Sequence, residues 1–175
     1  MAKRIIVNDK DEIIGYKERN KRTKDDIVRV AGLWIFNDKK ETLIAKRTDN
    51  KAHDPNKWGP SAAGSVEKDE TYVSNIIKEA KEEISITLKE KDLILGPHRF
   101  VTAGHQFFSQ SFFAKMNLPI KAFKIQKEEV AEIRWIGINK LLEWVHEKPD
   151  DFIESFRSPE SSLYDFAKFL SSKPF

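Results

Sequence analysis

Cysteine is absent from the 175 residues. That excludes disulfides, thiolate metal sites and a cysteine nucleophile. No run of 18 apolar residues occurs, and the N-terminus has no apolar signal core, so a soluble cytoplasmic protein with no membrane partner is expected. Charge imbalance is small: 31 Lys and Arg against 28 Asp and Glu leave +3. So slight an excess does not imply nucleic-acid binding. Internal repeats, low-complexity tracts and a clear interdomain linker are also missing. A single domain spanning 1–175 is therefore expected, long enough to bury a real core.

What is present centres on Gly64 to Ile86, GSVEKDETYVSNIIKEAKEEISI. The spacing predicts a helix over 71–84, with Val73, Ile76, Ile77, Ala80 and Ile84 on one apolar stripe. Glu79, Glu82 and Glu83 fall at i, i+3 and i+4, so their carboxylates gather on one side. Three like charges that close repel, and a hard divalent cation among them reverses the sign of that interaction. Taken alone, a Glu/Lys-rich face is more often solvated, with Lys78 and Lys81 neutralising it. A glycine-bearing loop and Glu70, at fixed offsets before the trio, favour a site instead.

The stretch resembles the Nudix box: Gly, five residues, Glu, seven residues, then Arg-Glu-U-x-Glu-Glu-x-Gly-U, where U is aliphatic. Gly64, Glu70, Glu79, Ala80, Glu82, Glu83 and Ile86 stand at matching positions. Lys78 replaces the usual Arg, keeping charge but losing the planar fork. Ser85 replaces the usual Gly, from which a different terminal turn is expected.

The resemblance implies an α/β/α sandwich, a mixed β-sheet flanked by helices, acting as a hydrolase of phosphoanhydrides in a nucleoside diphosphate linked to another moiety. It implies Mg²⁺, with Mn²⁺ as substitute, held by Glu79, Glu82, Glu83 and the Gly64 carbonyl. Glu70 and Lys78 would support the loop and helix. Glu82 is the candidate general base, and Glu129, in a late loop beside Glu128 and Glu132, is the alternative. The implied partner is a small nucleotide or diphosphate; a homodimer is compatible with this.

The order of elements resembles in particular the isopentenyl-diphosphate-isomerase-like branch. Isomerases there use a cysteine in Ser-x-Cys-Gly-His. The aligned segment here is Ser61-Ala62-Ala63-Gly64-Ser65. Ala63 cannot move a proton, and Ser65 stands where the metal-binding His would be. Hydrolysis is therefore favoured over isomerisation, and a nucleotide-binding domain without turnover is the third reading.

Elsewhere, 4–18 reads as a hairpin around Asn8-Asp9-Lys10-Asp11. KERNKRTK, 17–24, reads first as a solvated connection, with a phosphate-attracting rim as the alternative. Ile27–Phe36 predicts a central strand covered on both faces. Arg29, Arg47, Lys51 and Lys57 are candidate phosphate holders. Trp58 is a candidate for stacking on a ligand, though a lone Trp is more often core. Strands are expected over 93–95, 99–103 and 107–116, the last with Phe on both parities. His98 and His105 read as structural or surface residues. Helices are expected within 138–171, including a short one over 151–156.

Overall fold

The run Ile27–Phe36, rich in β-branched and aromatic residues, forms the axis of the sheet as strand β3. The structure, a computed structural model, describes residues 2–174. Strands β1 (Lys3–Val7) and β2 (Ile13–Glu18) precede it as the expected antiparallel hairpin. After it come β4 (Glu41–Arg47), β5 (Trp58–Gly59) and β6 (Ala62–Ser65). Helix α1 (Tyr72–Ile84) follows, then β7 (Ile94–Val101), β8 (Phe107–Lys115) and β9 (Val130–Gly137). Helices α2 (Ile138–Glu147) and α3 (Ser162–Ser171) close the chain.

These strands make one mixed sheet. β8 runs parallel along β3, from Val28↔Phe107 to Phe36↔Lys115. β3 has three further partners, one after another along its length. β1 pairs at Ile27 and Val28, β6 over Val30 to Leu33, and β4 at Ile35 and Phe36. β3 and β4 thus fork apart, and β6 fills the gap. Ser61, fully buried, ties the fork: its hydroxyl donates to the Leu43 carbonyl at 2.6 Å and accepts from the Ile35 N–H at 2.8 Å.

Strand alternation sorts the core into two layers. Trp34, Phe36 and Phe113 face α2 and α3, while Ala31, Leu33, Ile35 and Phe112 face α1. Both faces of β3 and β8 are thereby covered, as the sequence predicted. Each large side chain so buried contributes about 1.5–3 kcal/mol. Trp34 stacks between Phe156 and Phe166, with centroids at 5.5 and 5.0 Å. Its indole N–H donates to Ser162 Oγ at 3.2 Å.

Three local expectations are corrected. The two strands expected over 93–95 and 99–103 are one, β7. Gly96-Pro97 does not break it, because a register shift between Leu95 and His98 absorbs the disruption, and the Gln110 amide donates to the Gly96 carbonyl at 2.8 Å. The helix expected over 151–156 is instead two short 3₁₀ segments, Pro149–Asp151 and Glu154–Arg157. The Ile153 N–H donates to the Trp58 carbonyl at 2.9 Å, which holds the chain extended between them. Finally, Ser85 does not change the turn after α1. It adopts the left-handed conformation, φ 58°, that a glycine would take.

Candidate active site

Thr71 starts α1 with a reciprocal cap. Its hydroxyl accepts from the Ser74 N–H at 3.1 Å, and Ser74 Oγ accepts from the Thr71 N–H at 2.9 Å. Ile76, Ala80 and Ile84 then bury themselves under the sheet. With that stripe anchored, Glu79 and Glu83, which flank it on the helix surface, are turned toward β6. Gly64 on β6 lies so close that a Cβ there would stand 2.3 Å from the Glu79 carboxylate. Only glycine lets the strand and the carboxylate approach to this degree.

Glu79, Glu82, Glu83 and Gly64 line one cavity of about 430 Å³. Arg47, Lys51 and Glu129 line it as well. The walls carry opposite charge. Loss of water pushes the Glu83 carboxyl up to about 8, and the nearby Glu79 charge adds to this. The Ala63 N–H, donating at 3.2 Å, and the cations Lys51 and Arg47 oppose it. Glu79 is pushed up to about 6, again first by burial, with Lys78 opposing and Glu82 and Glu70 adding to the rise. Burial also holds Arg47 and Lys51 below their usual values, while Glu83 pulls both back up. Lys51 is paired with Glu129.

Glu70 and Lys78 brace this wall. The Lys78 ammonium stands 2.7 Å from Glu70, 3.4 Å from Glu67 and 3.6 Å from Glu79. Burial disfavours its charge, but the Glu70 bond and these neighbours outweigh that and push it up. Glu70 also accepts from the Glu67 N–H and the Asn75 amide, both at 2.9 Å. A lysine thus meets three carboxylates as a point charge where an arginine fork is usual.

Three residues expected to hold substrate lie elsewhere. Arg29 is bound to the hairpin turn, donating to Asp11 Oδ1 at 2.7 Å and to the Asp11 carbonyl at 2.6 Å. Lys57 donates to the Asp150 carbonyl. Trp58 is 4% exposed, with the Arg134 guanidinium 4.7 Å above its ring and Trp144 against it, so it plugs the core. Of the late glutamates, Glu132 pairs with Arg134 on the surface at 2.7 Å. His98 is bound to Asp11 at 3.1 Å and stacked on Phe108.

Other residues enter the site unannounced. Arg19 and Arg22, in the stretch read first as a solvated connection, turn into the cavity, as does Arg4. The hairpin folds beside the box and carries them there. His105 also lines it, 2.9 Å from His53. Asn75, fully buried, donates to Glu70 and to the Ser65 carbonyl, and its Oδ1 has no partner among the described residues. The run of basic residues over 17–24 was the one signal available. Nothing in the spacing marked Arg4, His53 or Asn75.

The acidic wall suits an oxygen-seeking divalent cation. Two partly buried carboxylates repel each other beside a glycine cradle, and hard oxygen donors are what Mg²⁺ takes. The wall is open rather than a closed cage: among the described residues, no three acidic or imidazole groups already stand in metal-binding geometry.

The box geometry on a mixed sheet between helices defines a Nudix protein, and the NUDIX domain matches residues 26–156. The chain belongs to that family; its Nudix hydrolase relatives support a hydrolase of phosphorus-containing acid anhydrides, and Nudix enzymes generally use divalent metal ions. An uncharacterised Nudix hydrolase of Listeria innocua is 35% identical over 112 residues, 64% of each chain. An isopentenyl-diphosphate Delta-isomerase of an Enterobacter species is 24% identical over 152 residues, 83% of this chain and 81% of its own. A crystal structure of a Deinococcus radiodurans protein shares the fold at TM-score 0.67 and 20% identity, across 97% of both chains.

Proposed function

We propose that this protein cleaves a phosphoanhydride bond in a nucleoside diphosphate linked to another moiety, in a Mg²⁺-dependent reaction. One observation carries the reading: Glu79, Glu82, Glu83 and Gly64 form one wall of a cavity whose other walls present Arg47 and Lys51. A diphosphate is a dense anion, and water attack on it adds charge to the transferring phosphoryl group. Mg²⁺, with Mn²⁺ as substitute, would be held by Glu79, Glu82, Glu83 and the Gly64 carbonyl and would supply charge neutralisation and activation of water. Arg47 and Lys51 orient the outer phosphate from the facing walls by charge-assisted hydrogen bonds.

Glu82 is the exposed member of the trio and is assigned to accept the proton from water. Glu129, committed to Lys51, is the alternative acceptor once substrate competes for that lysine. Glu83 and Glu79 are held in place by the Ala63 N–H and by Lys78. The isomerase reading has no proton carrier at Ala63, whose N–H is already spent on Glu83.

The test is turnover of a panel of nucleoside diphosphate derivatives with Mg²⁺. Wild-type protein is expected to hydrolyse at least one, and Glu82→Gln to lose about 10²-fold or more. Full activity in Glu82→Gln and in Glu129→Gln alike would remove both base assignments. Isopentenyl diphosphate followed by NMR should give no allylic isomer.

A further inference from the structure

Arg4, Arg19 and Arg22 are unused by the chemistry above. Four of the other arginines each hold a carboxylate: Arg29 with Asp11, Arg99 with Asp165, Arg134 with Glu132 and Arg157 with Asp150. Arg47 donates to the His53 carbonyl. Among the described residues, Arg4, Arg19 and Arg22 have no carboxylate within 4.0 Å. The Arg22 Nε is buried and, among the described residues, has no hydrogen-bond partner. An unsatisfied buried donor is costly, more so when the group is charged.

The three converge rather than scatter. Together with Lys24, His53 and His105 they line a second recess of about 550 Å³, to which, among the described residues, no acidic side chain contributes. Arg4, Arg19, Arg22, His53 and His105 also line the glutamate-bearing cavity, so the two spaces adjoin. The cations repel one another. Burial, then Arg19 and Arg22, hold Arg4 down at about 10, with Glu67 and Glu79 opposing. Burial and Arg19 likewise lower Arg22, against Asp26. His53 is lowered by burial, His105, Arg19 and Arg22, against Asp54. An anion seated among these groups would supply the missing acceptor for Arg22 and cancel the repulsion.

We propose that this basic recess seats a further phosphate group of the substrate, distinct from the diphosphate that meets the glutamate wall. The substrate class is then a diphosphate carrying an additional phosphate, either as the end of a longer phosphate chain or as a phosphomonoester elsewhere on the molecule. The assignment of the two phosphates to opposite walls rests on the hydrolase reading above; the anion site itself does not.

The experiment has two arms. In the first, full-length protein in EDTA is titrated calorimetrically with inorganic tripolyphosphate. Wild type should bind, and Arg19→Gln and the double variant Arg19→Gln/Arg22→Gln should weaken binding, the double variant by about tenfold or more. Arg19 is exposed, so its replacement leaves folding intact. Equal affinity in all three proteins, or no binding by wild type, overturns the proposal.

In the second arm, KM is measured with Mg²⁺ for matched pairs. One pair is ADP-ribose with and without a 2′-phosphate; the other is dinucleoside polyphosphates of shorter and longer chain. Wild type should prefer the phosphate-rich member of one pair, which identifies the source of the group. The double variant should lose that preference in KM rather than in kcat. A preference equal in wild type and double variant overturns the proposal. Binding by wild type that the double variant loses in the first arm, with no hydrolysis of any compound by wild type in the second, sinks the hydrolase reading while leaving the anion site standing.

Discussion

Replacing Glu83 by glutamine should make the metal-free protein more stable above about pH 8 while removing its activity. The amide keeps the shape of the carboxyl and can still accept from the Ala63 N–H, now at 3.2 Å. It removes a charge that burial and Glu79 both oppose, and that holds the carboxyl at about 8 rather than 4.5. The sign follows from proton linkage. Because the folded-state value is raised, folded protein binds more protons than unfolded between about pH 4.5 and 8. Stability is therefore greatest at the acid end of that window and falls as pH rises through it. At 1.36 kcal/mol per pH unit the full difference is about 4–5 kcal/mol. Glu79, pushed up to about 6 by the same surroundings, shares the repulsion, so roughly 2–4 kcal/mol is expected from Glu83→Gln. For a chain of this size that is a rise in Tm of roughly 5–12 °C at about pH 9, and little change at about pH 5. Thermal melting in EDTA across that range measures it. Millimolar Mg²⁺ should close the gap by stabilising wild type alone. A Tm difference independent of pH, or a less stable variant at about pH 9, would refute the argument.

Two further substitutions follow. Gly64→Ala places a Cβ 2.3 Å from the Glu79 carboxylate; it should displace that side chain, cost about 1–3 kcal/mol by overpacking and cut kcat at least tenfold, and normal turnover would show that the close approach is dispensable. Ser85→Gly relieves a left-handed serine, φ 58°, and should raise stability by about 0.5–1 kcal/mol in denaturant melts with activity unaltered; a drop in midpoint would contradict it.

Much of this molecule is legible in one dimension because periodicity is a local property. The stripe Val73 to Ile84 and the double-parity phenylalanines of β8 each state which side must be buried, and helix and strand geometry do the rest. The box spacing likewise sets three carboxylates on one side of α1 before any tertiary contact forms. Charged side chains without a periodic context carry no such information. Arg29 and Lys57 were expected at the phosphates as reasonably as Arg47 and Lys51 were. What separates them is where β3 and β4 fork, and which carboxylate or carbonyl each cation meets first.

Ser85 shows the reverse case. A residue change suggested a new turn, yet the packing of α1 under the sheet imposes the left-handed conformation at small cost. The spacing within Gly64–Ile86 was sufficient to specify an acidic helix face with a glycine-bearing loop before it, and the resemblance of that stretch to the Nudix box implied the sandwich that carries both. That Arg4, Arg19 and Arg22 join the cations around that wall was settled by the return of the hairpin across the box, a contact between segments some sixty residues apart, as in the antiparallel backbone bridge between Arg4 and Glu67. Sequence spacing encodes neighbours along a helix or strand; the electrostatics of a cavity depend on distances between elements, and those exist only once the chain has folded.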